Sequence, residues 1–95
     1  MINCVYVIYS VGLDRFYVGE TLDIEKRIAD HNTGFYKGSW TTQTNDWELF
    51  LKIACSSRSQ ARKIEAHIKK MKSSKYIQDL NRYPEIVEKL KNRYN

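Results

Sequence analysis

Arg27 and His31 stand four residues apart in a segment of helical pattern, so their side chains leave the helix on the same side. Ile24 and Ile28 flank them and set the pair at the edge of the stripe that turns towards a core. Glu65 follows Ala61 by four residues and precedes Ile68 by three, so it borders the buried stripe of a second helix. Tyr6 and Tyr17 belong to two β-branched, aromatic segments near the start of the chain. Tyrosine, arginine, histidine and a half-buried carboxylate suit phosphodiester hydrolysis, with the acid as a metal ligand. Each also has an ordinary reading. The tyrosines would pack on a sheet, Arg27 would pair with Asp23, His31 would favour a helix C-terminus, and Glu65 would pair with Lys69.

The elements that must position these residues can be read in order. Val5 to Ser10 is β-branched and aromatic and predicts a strand. Gly12 to Arg15 reads as a turn, and Phe16 to Gly19 as the second strand of a hairpin, with Tyr9 pointing away from Tyr6. Thr21 or Asp23 caps a helix that runs to His31 or Asn32 and ends before Gly34. Residues 34–46 read as a loop, and Trp47 to Cys55 as a third strand. Ser57 and Gln60 fit a capping box that opens a long helix, with Ala61, Ile64, Ile68 and Met71 facing the core. A shorter helix starts at Ser73 or Ser74, and Pro84 begins a last one. The order implies an α+β domain with a small three-stranded, mainly antiparallel sheet flanked by helices. The helix between strands two and three would also permit a parallel crossover.

Composition narrows the classes. The 95 residues suffice for one core, and 42% apolar residues with a single proline exclude a disordered or low-complexity chain. No apolar run reaches the length of a membrane span, and the first residues lack the features of a secretory signal, so a cytoplasmic protein is expected. Cys4 and Cys55 are too few and too far apart for a disulfide framework or, with His31 and His67, for a zinc motif; both are expected as buried thiols. His67 is expected on the surface. The net charge is +5, and between Arg58 and Lys75 the only acid is Glu65. A charge so one-signed points to a polyanion.

Cys4-Val5-Tyr6 followed by Phe16-Tyr17-Val18-Gly19 resembles the two halves of the GIY-YIG nuclease motif. Thr21-Leu22-Asp23-Ile24, with Arg27, resembles that family's helix opening, and His31-Asn32 with Gly34 its H-N-x-G. Asp46-Trp47-Glu48-Leu49, Arg58-Ser59 with Ala61 and Glu65, and Lys70-Met71-Lys72-Ser73 continue in register, as in the short stand-alone bacterial members. The resemblance covers roughly residues 3–80, taken as the nuclease-like domain (1–80), and leaves 81–95 as an added C-terminal helix packed on it.

The resemblance implies a metal-dependent endonuclease acting on DNA, with branched or damaged DNA among the expected forms, in repair, recombination or mobile-element processing, as a monomer or weak dimer. Tyr6 would be the general base for the attacking water, and Tyr17 would hydrogen-bond to that water or to the phosphate. Arg27 would stabilise the phosphoryl charge, His31 would orient the nucleophile or protonate the leaving oxygen, and Glu65 would be the sole protein ligand of Mg²⁺ or Mn²⁺. Backbone contacts would come from Lys37, Thr41, Lys69, Lys70, Lys72 and Lys75. Trp40 would anchor its loop or stack on an unpaired base. Glu20 adds a carboxylate beside the motif, either a second metal contact or a charge repelling phosphate. A non-catalytic nucleic-acid-binding module and an RNA-directed nuclease are the alternatives.

Overall fold

Residues 2–34 and 40–95 are described by a computed structural model. The hydrophobic run Cys4–Ser10 forms β1, and after a turn at Val11–Asp14 the chain returns as β2, Arg15–Thr21. Ser10 and Asp46 build that turn: the Ser10 hydroxyl donates to Asp46, and the Gly12 N–H donates to the same carboxylate at 2.9 Å. Asp14 takes a left-handed backbone, φ 51°, to complete it.

Local chemistry sets the helix ends. Helix α1, Ile24–Thr33, starts where the Asp23 side chain accepts from the Lys26 N–H. It stops at Gly34, whose φ of 76° suits a residue without a side chain. A short 3-10 turn at Trp40–Gln43 leads to β3, Glu48–Ala54, which is followed by α2 (Arg58–Met71), α3 (Ser74–Arg82) and α4 (Pro84–Arg93). Ser57 caps α2 by accepting from the Gln60 N–H at 3.0 Å. The capping box is altered, because Gln60 returns its carbonyl to the N–H of Ser56, at 2.7 Å. The Gln60 amide then donates to the Lys91 carbonyl at 2.9 Å and so ties α4 to the start of α2.

The sheet order is β2-β1-β3, and both neighbours pair antiparallel to β1. Strands β2 and β3 therefore run parallel to each other on either side of β1, with α1 as the crossover between them. The two topologies that spacing left open are thus combined in one α+β fold.

Central strand β1 is buried on both faces. Val5 and Val7 join Val18 and Ile53 against Ala61, Ile64 and Ile68 of α2, Ile77 and Leu80 of α3, and Leu90 of α4. Tyr6 and Ile8 face the other way, onto Trp47 and onto Ile24 and Ile28 of α1. Cys4 and Cys55 are buried free thiols.

Two expectations are corrected. Met71 is 46% exposed, because α2 outruns the sheet beyond Ile68 and ends at Lys72 in a left-handed cap, φ 48°. His67 is no bystander: its Nδ1 and Nε2 lie 3.1 Å from the hydroxyls of Tyr94 and Tyr76, joining α2 to α3 and to the end of α4.

Candidate active site

The site forms where the α1 face of the sheet meets edge strand β2. Tyr6 lies directly opposite Gly19 in the β1–β2 pairing, and its ring crosses the space that a side chain at 19 would fill. A Cβ there would stand 2.5 Å from the Tyr6 hydroxyl and 2.6 Å from Cζ. Gly19 is what allows the ring to lie flat across β2 and reach α1.

Across that gap the Tyr6 hydroxyl meets His31 Nε2 at 3.0 Å, and His31 Nδ1 meets Thr41 Oγ1 at 3.1 Å. The Trp47 indole donates to the Thr41 carbonyl at 2.9 Å, fixing the 3-10 turn against the ring. Asn32, next in the helix, clamps the start of β3: its Oδ1 accepts from the Trp47 N–H at 2.7 Å and its Nδ2 donates to the Trp47 carbonyl at 3.0 Å. The H-N-x-G segment thus combines a buried imidazole, a backbone clamp and a glycine cap.

Burial and the nearby Arg27 guanidinium hold the His31 imidazole below its ordinary range, with Asp30 opposing them. A neutral imidazole has one donor and one acceptor nitrogen, which suits one hydroxyl on each side.

This inner layer is closed to water: Tyr6 and Thr41 are 0% exposed and His31 is 2%. Thr41, expected among the DNA contacts, is 0% exposed and its hydroxyl lies against His31. The Tyr6 hydroxyl, expected to serve as the base, faces His31 in this sealed layer.

The outer layer centres on Tyr17, half-buried on the edge strand with its ring centroid 4.8 Å from that of His31 and 6.3 Å from that of Tyr6. Burial and the Glu65 carboxylate push its phenol above its ordinary range, while Arg27 acts in the opposite direction. Both charges are therefore close enough to be felt at the ring. Arg27, one helical turn before His31, is itself half-buried. Lys69 Nζ lies 5.7 Å from the Tyr17 centroid and 3.8 Å from Glu65 Oε2. The Glu65 side chain is 22% exposed. A partly solvated (i, i+4) ion pair contributes at most about 1 kcal/mol, so pairing with Lys69 is a weak structural reason for this carboxylate.

The donor chemistry suits one kind of metal. Glu65, whose charge reaches the Tyr17 ring, offers a hard oxygen donor beside the site. One carboxylate with water and phosphate oxygens is a usual Mg²⁺ arrangement. Glu20 is turned elsewhere, towards Arg58 at 3.8 Å.

A comparison with known proteins fits this arrangement. The sequence model of the GIY-YIG catalytic domain matches residues 2–78. The chain belongs to the GIY-YIG family. It is similar to the UPF0213 protein of Syntrophus aciditrophicus (strain SB), 34% identical over 83 residues that cover 87% of this chain and 94% of the relative. No solved structure gave a significant match. GIY-YIG proteins are nucleases, and Tyr6, Tyr17, Arg27, His31 and Glu65 of this member converge in space from β1, β2, α1 and α2.

The expected basic contacts do not form one patch. Lys69, Lys72 and Lys75 line the side of α2 and α3 that continues from Tyr17. Lys70 is on another flank, beside His67 and Tyr94. Lys37 lies outside the described residues. Sequence reasoning missed Asn32 as a clamp and Thr41 as the partner of His31; a loop threonine carries no local sign of burial. No helix among the described residues is long and apolar enough to cross a membrane.

Proposed function

We propose that this GIY-YIG protein is a divalent-metal-dependent endonuclease that hydrolyses DNA phosphodiester bonds, with Tyr17 as the phenol that meets the attacking water. The observation that carries this reading is the half-exposed Tyr17 ring, flanked by Glu65, Arg27 and Lys69 and backed by a sealed Tyr6–His31–Thr41 chain.

Arg27 presents a planar guanidinium to the scissile phosphate and stabilises the charge that grows in the five-coordinate transition state. Lys69 supplies a second positive charge at the rim. Glu65 would hold Mg²⁺ or Mn²⁺, which supplies Lewis-acid polarisation of the phosphate and offsets the carboxylate charge that now raises Tyr17. Tyr17 gives up its own proton to solvent and, as the phenolate, accepts the proton of the incoming water. Tyr6 and His31 are positioning residues: the neutral imidazole holds its ring against Tyr17, and the Tyr6 hydroxyl fixes the imidazole.

Nicking of supercoiled plasmid with Mg²⁺, Mn²⁺ or EDTA tests the reading. Wild type should cleave only with metal, and Glu65→Gln should bind DNA without cleaving it. Tyr17→Phe should lower the rate about 100-fold or more, the ordinary size of an acid–base contribution. Tyr6→Phe should cost less and leave the rise of rate with pH in place. Full cleavage by Tyr17→Phe, or loss of that rise in Tyr6→Phe, would return the base to Tyr6. Binding without cleavage by wild type, with either metal, would leave a nucleic-acid-binding module.

A further inference from the structure

An open groove of about 1350 Å³ runs from the site along the hairpin end of the sheet, below the α2–α3 corner. Its floor is aromatic. The Tyr9 and Phe16 ring centroids are 4.8 Å apart, and Phe16 meets Phe50 at 4.9 Å. All three rings are half-buried, so each keeps part of its surface open. The walls carry Arg15, Lys69, Lys72, Lys75 and Arg82 against only two acids, Asp14 and Asp79. Both acids are engaged: Asp79 accepts from Lys75 at 3.0 Å, and Asp14 accepts the Tyr9 hydroxyl. Tyr17 and Lys69 line the groove and also belong to the site, so the two are continuous.

Three kinds of occupant are distinguishable by chemistry. A small metabolite would want an enclosed pocket of roughly 300–1000 Å³ with convergent polar groups, whereas this groove is larger and open. The backbone of an intact duplex would use the cations but not the floor, because stacked bases keep their faces to themselves. An unpaired strand uses both, since it offers phosphates to lysine and arginine and base faces to aromatic rings.

We propose that the groove holds an unpaired strand of the nucleic-acid substrate, with bases against Tyr9, Phe16 and Phe50 and phosphates along Lys72, Lys75 and Arg15. The substrate class is then a duplex that carries a single-stranded branch, with the junction at Tyr17. The cleavage half of this statement rests on the nuclease reading; the binding half does not.

The test is fluorescence anisotropy in EDTA, where no metal-dependent cleavage occurs, with three labelled probes: oligothymidylate, a blunt duplex, and the same duplex with a single-stranded extension. The extended duplex should bind wild type about tenfold more tightly than the blunt one, the scale of one or two stacked bases. Phe16→Leu keeps apolar bulk in the groove floor but should lose most of that preference. Lys72→Asn with Lys75→Gln should flatten the dependence of log affinity on log salt by about 1.4 for the oligothymidylate, roughly 0.7 per contact removed. Melting curves check that each variant is folded. Photocrosslinking of a 5-iodouracil oligonucleotide to wild type, mapped by mass spectrometry, should mark Tyr9 or Phe16 and needs no variant at all.

Equal affinity for blunt and extended duplexes, or crosslinks confined to other surfaces, would overturn the proposal. The two readings fail separately. Branch preference without cleavage in Mg²⁺ or Mn²⁺ keeps the groove and discards the nuclease; cleavage without branch preference does the reverse.

Discussion

Replacing Gly19 by alanine adds one methyl group to the edge strand and should disable the protein well beyond that size. The new Cβ would stand 2.5 Å from the Tyr6 hydroxyl, 2.6 Å from Cζ and 2.8 Å from Cε1. Real Cβ atoms do not approach so closely, and the obstacle is a 0% exposed ring rather than the tip of a flexible chain. Overpacking of this kind costs about 1–3 kcal/mol. Once the ring moves, its 3.0 Å contact with His31 opens, and a lost hydrogen bond costs about 0.5–1.5 kcal/mol more. The reduced entropy of the unfolded alanine chain returns about 0.4–1 kcal/mol. The net loss is roughly 0.5–4 kcal/mol, a lowering of Tm by roughly 2–30 °C for a domain of this size. Calorimetry or thermal circular dichroism measures it directly. The mechanism is specific to the Tyr6 ring, so the cost should shrink when Gly19→Ala is made in a Tyr6→Leu background. A single-variant loss below about 0.5 kcal/mol, or the same loss in both backgrounds, would refute the steric account.

Three other outcomes are expected. Asn32→Ala removes both hydrogen bonds to the Trp47 backbone and should cost about 2–4 kcal/mol by chemical denaturation; a loss under about 1 kcal/mol would mean that water replaces the clamp. The Asp46 carboxyl is held down to about 2 by the Ser10 and Thr44 hydroxyls and the Gly12 N–H. Its contribution is therefore fully present above the ordinary carboxylate range near pH 4 and fades as pH falls towards 2, so wild type and Asp46→Asn should converge in stability across that window; parallel curves would exclude Asp46 as the source. His31 is held neutral, so its share of stability is present above its ordinary value near 6.5 and is lost as pH falls through its lowered value. Arg27→Gln removes a charge that lowers the His31 titration and should weaken that acid sensitivity, as titration of the His31 ring by NMR would register.

Much of this arrangement was legible where the deciding interaction is local. Asp23, Gly34 and Ser57 set helix ends through bonds within a few residues and Pro84 through its fixed φ, and those ends fall at or within a residue or two of the places their chemistry indicates. The alternation of β1 could not reveal two cores, because a central strand buried on both faces reads as one apolar run. Misses occurred where the partner is distant. His67 lies off the stripe that α2 turns to the sheet, yet its partner Tyr94 is 27 residues away on the end of α4. Thr41 looks like any polar loop residue until Trp47 and His31 close around it. Met71 has the right spacing, but spacing does not tell where the covered surface ends. That the five candidate residues lie together follows from their places on β1, β2, α1 and α2, while their division into a sealed layer and an open one depends on which tyrosine occupies the middle strand and which the edge.

That division has a consequence for how the molecule moves. Strand β1 is bonded on both sides and covered on both faces, so its amides should exchange with solvent only through global unfolding. Strand β2 has a free edge among the described residues and should open through smaller fluctuations. Tyr6 therefore belongs to the slowest-exchanging part of the chain and Tyr17 to a faster one. The reference frame of the site stays fixed while the residue beside it retains the freedom to adjust to what binds.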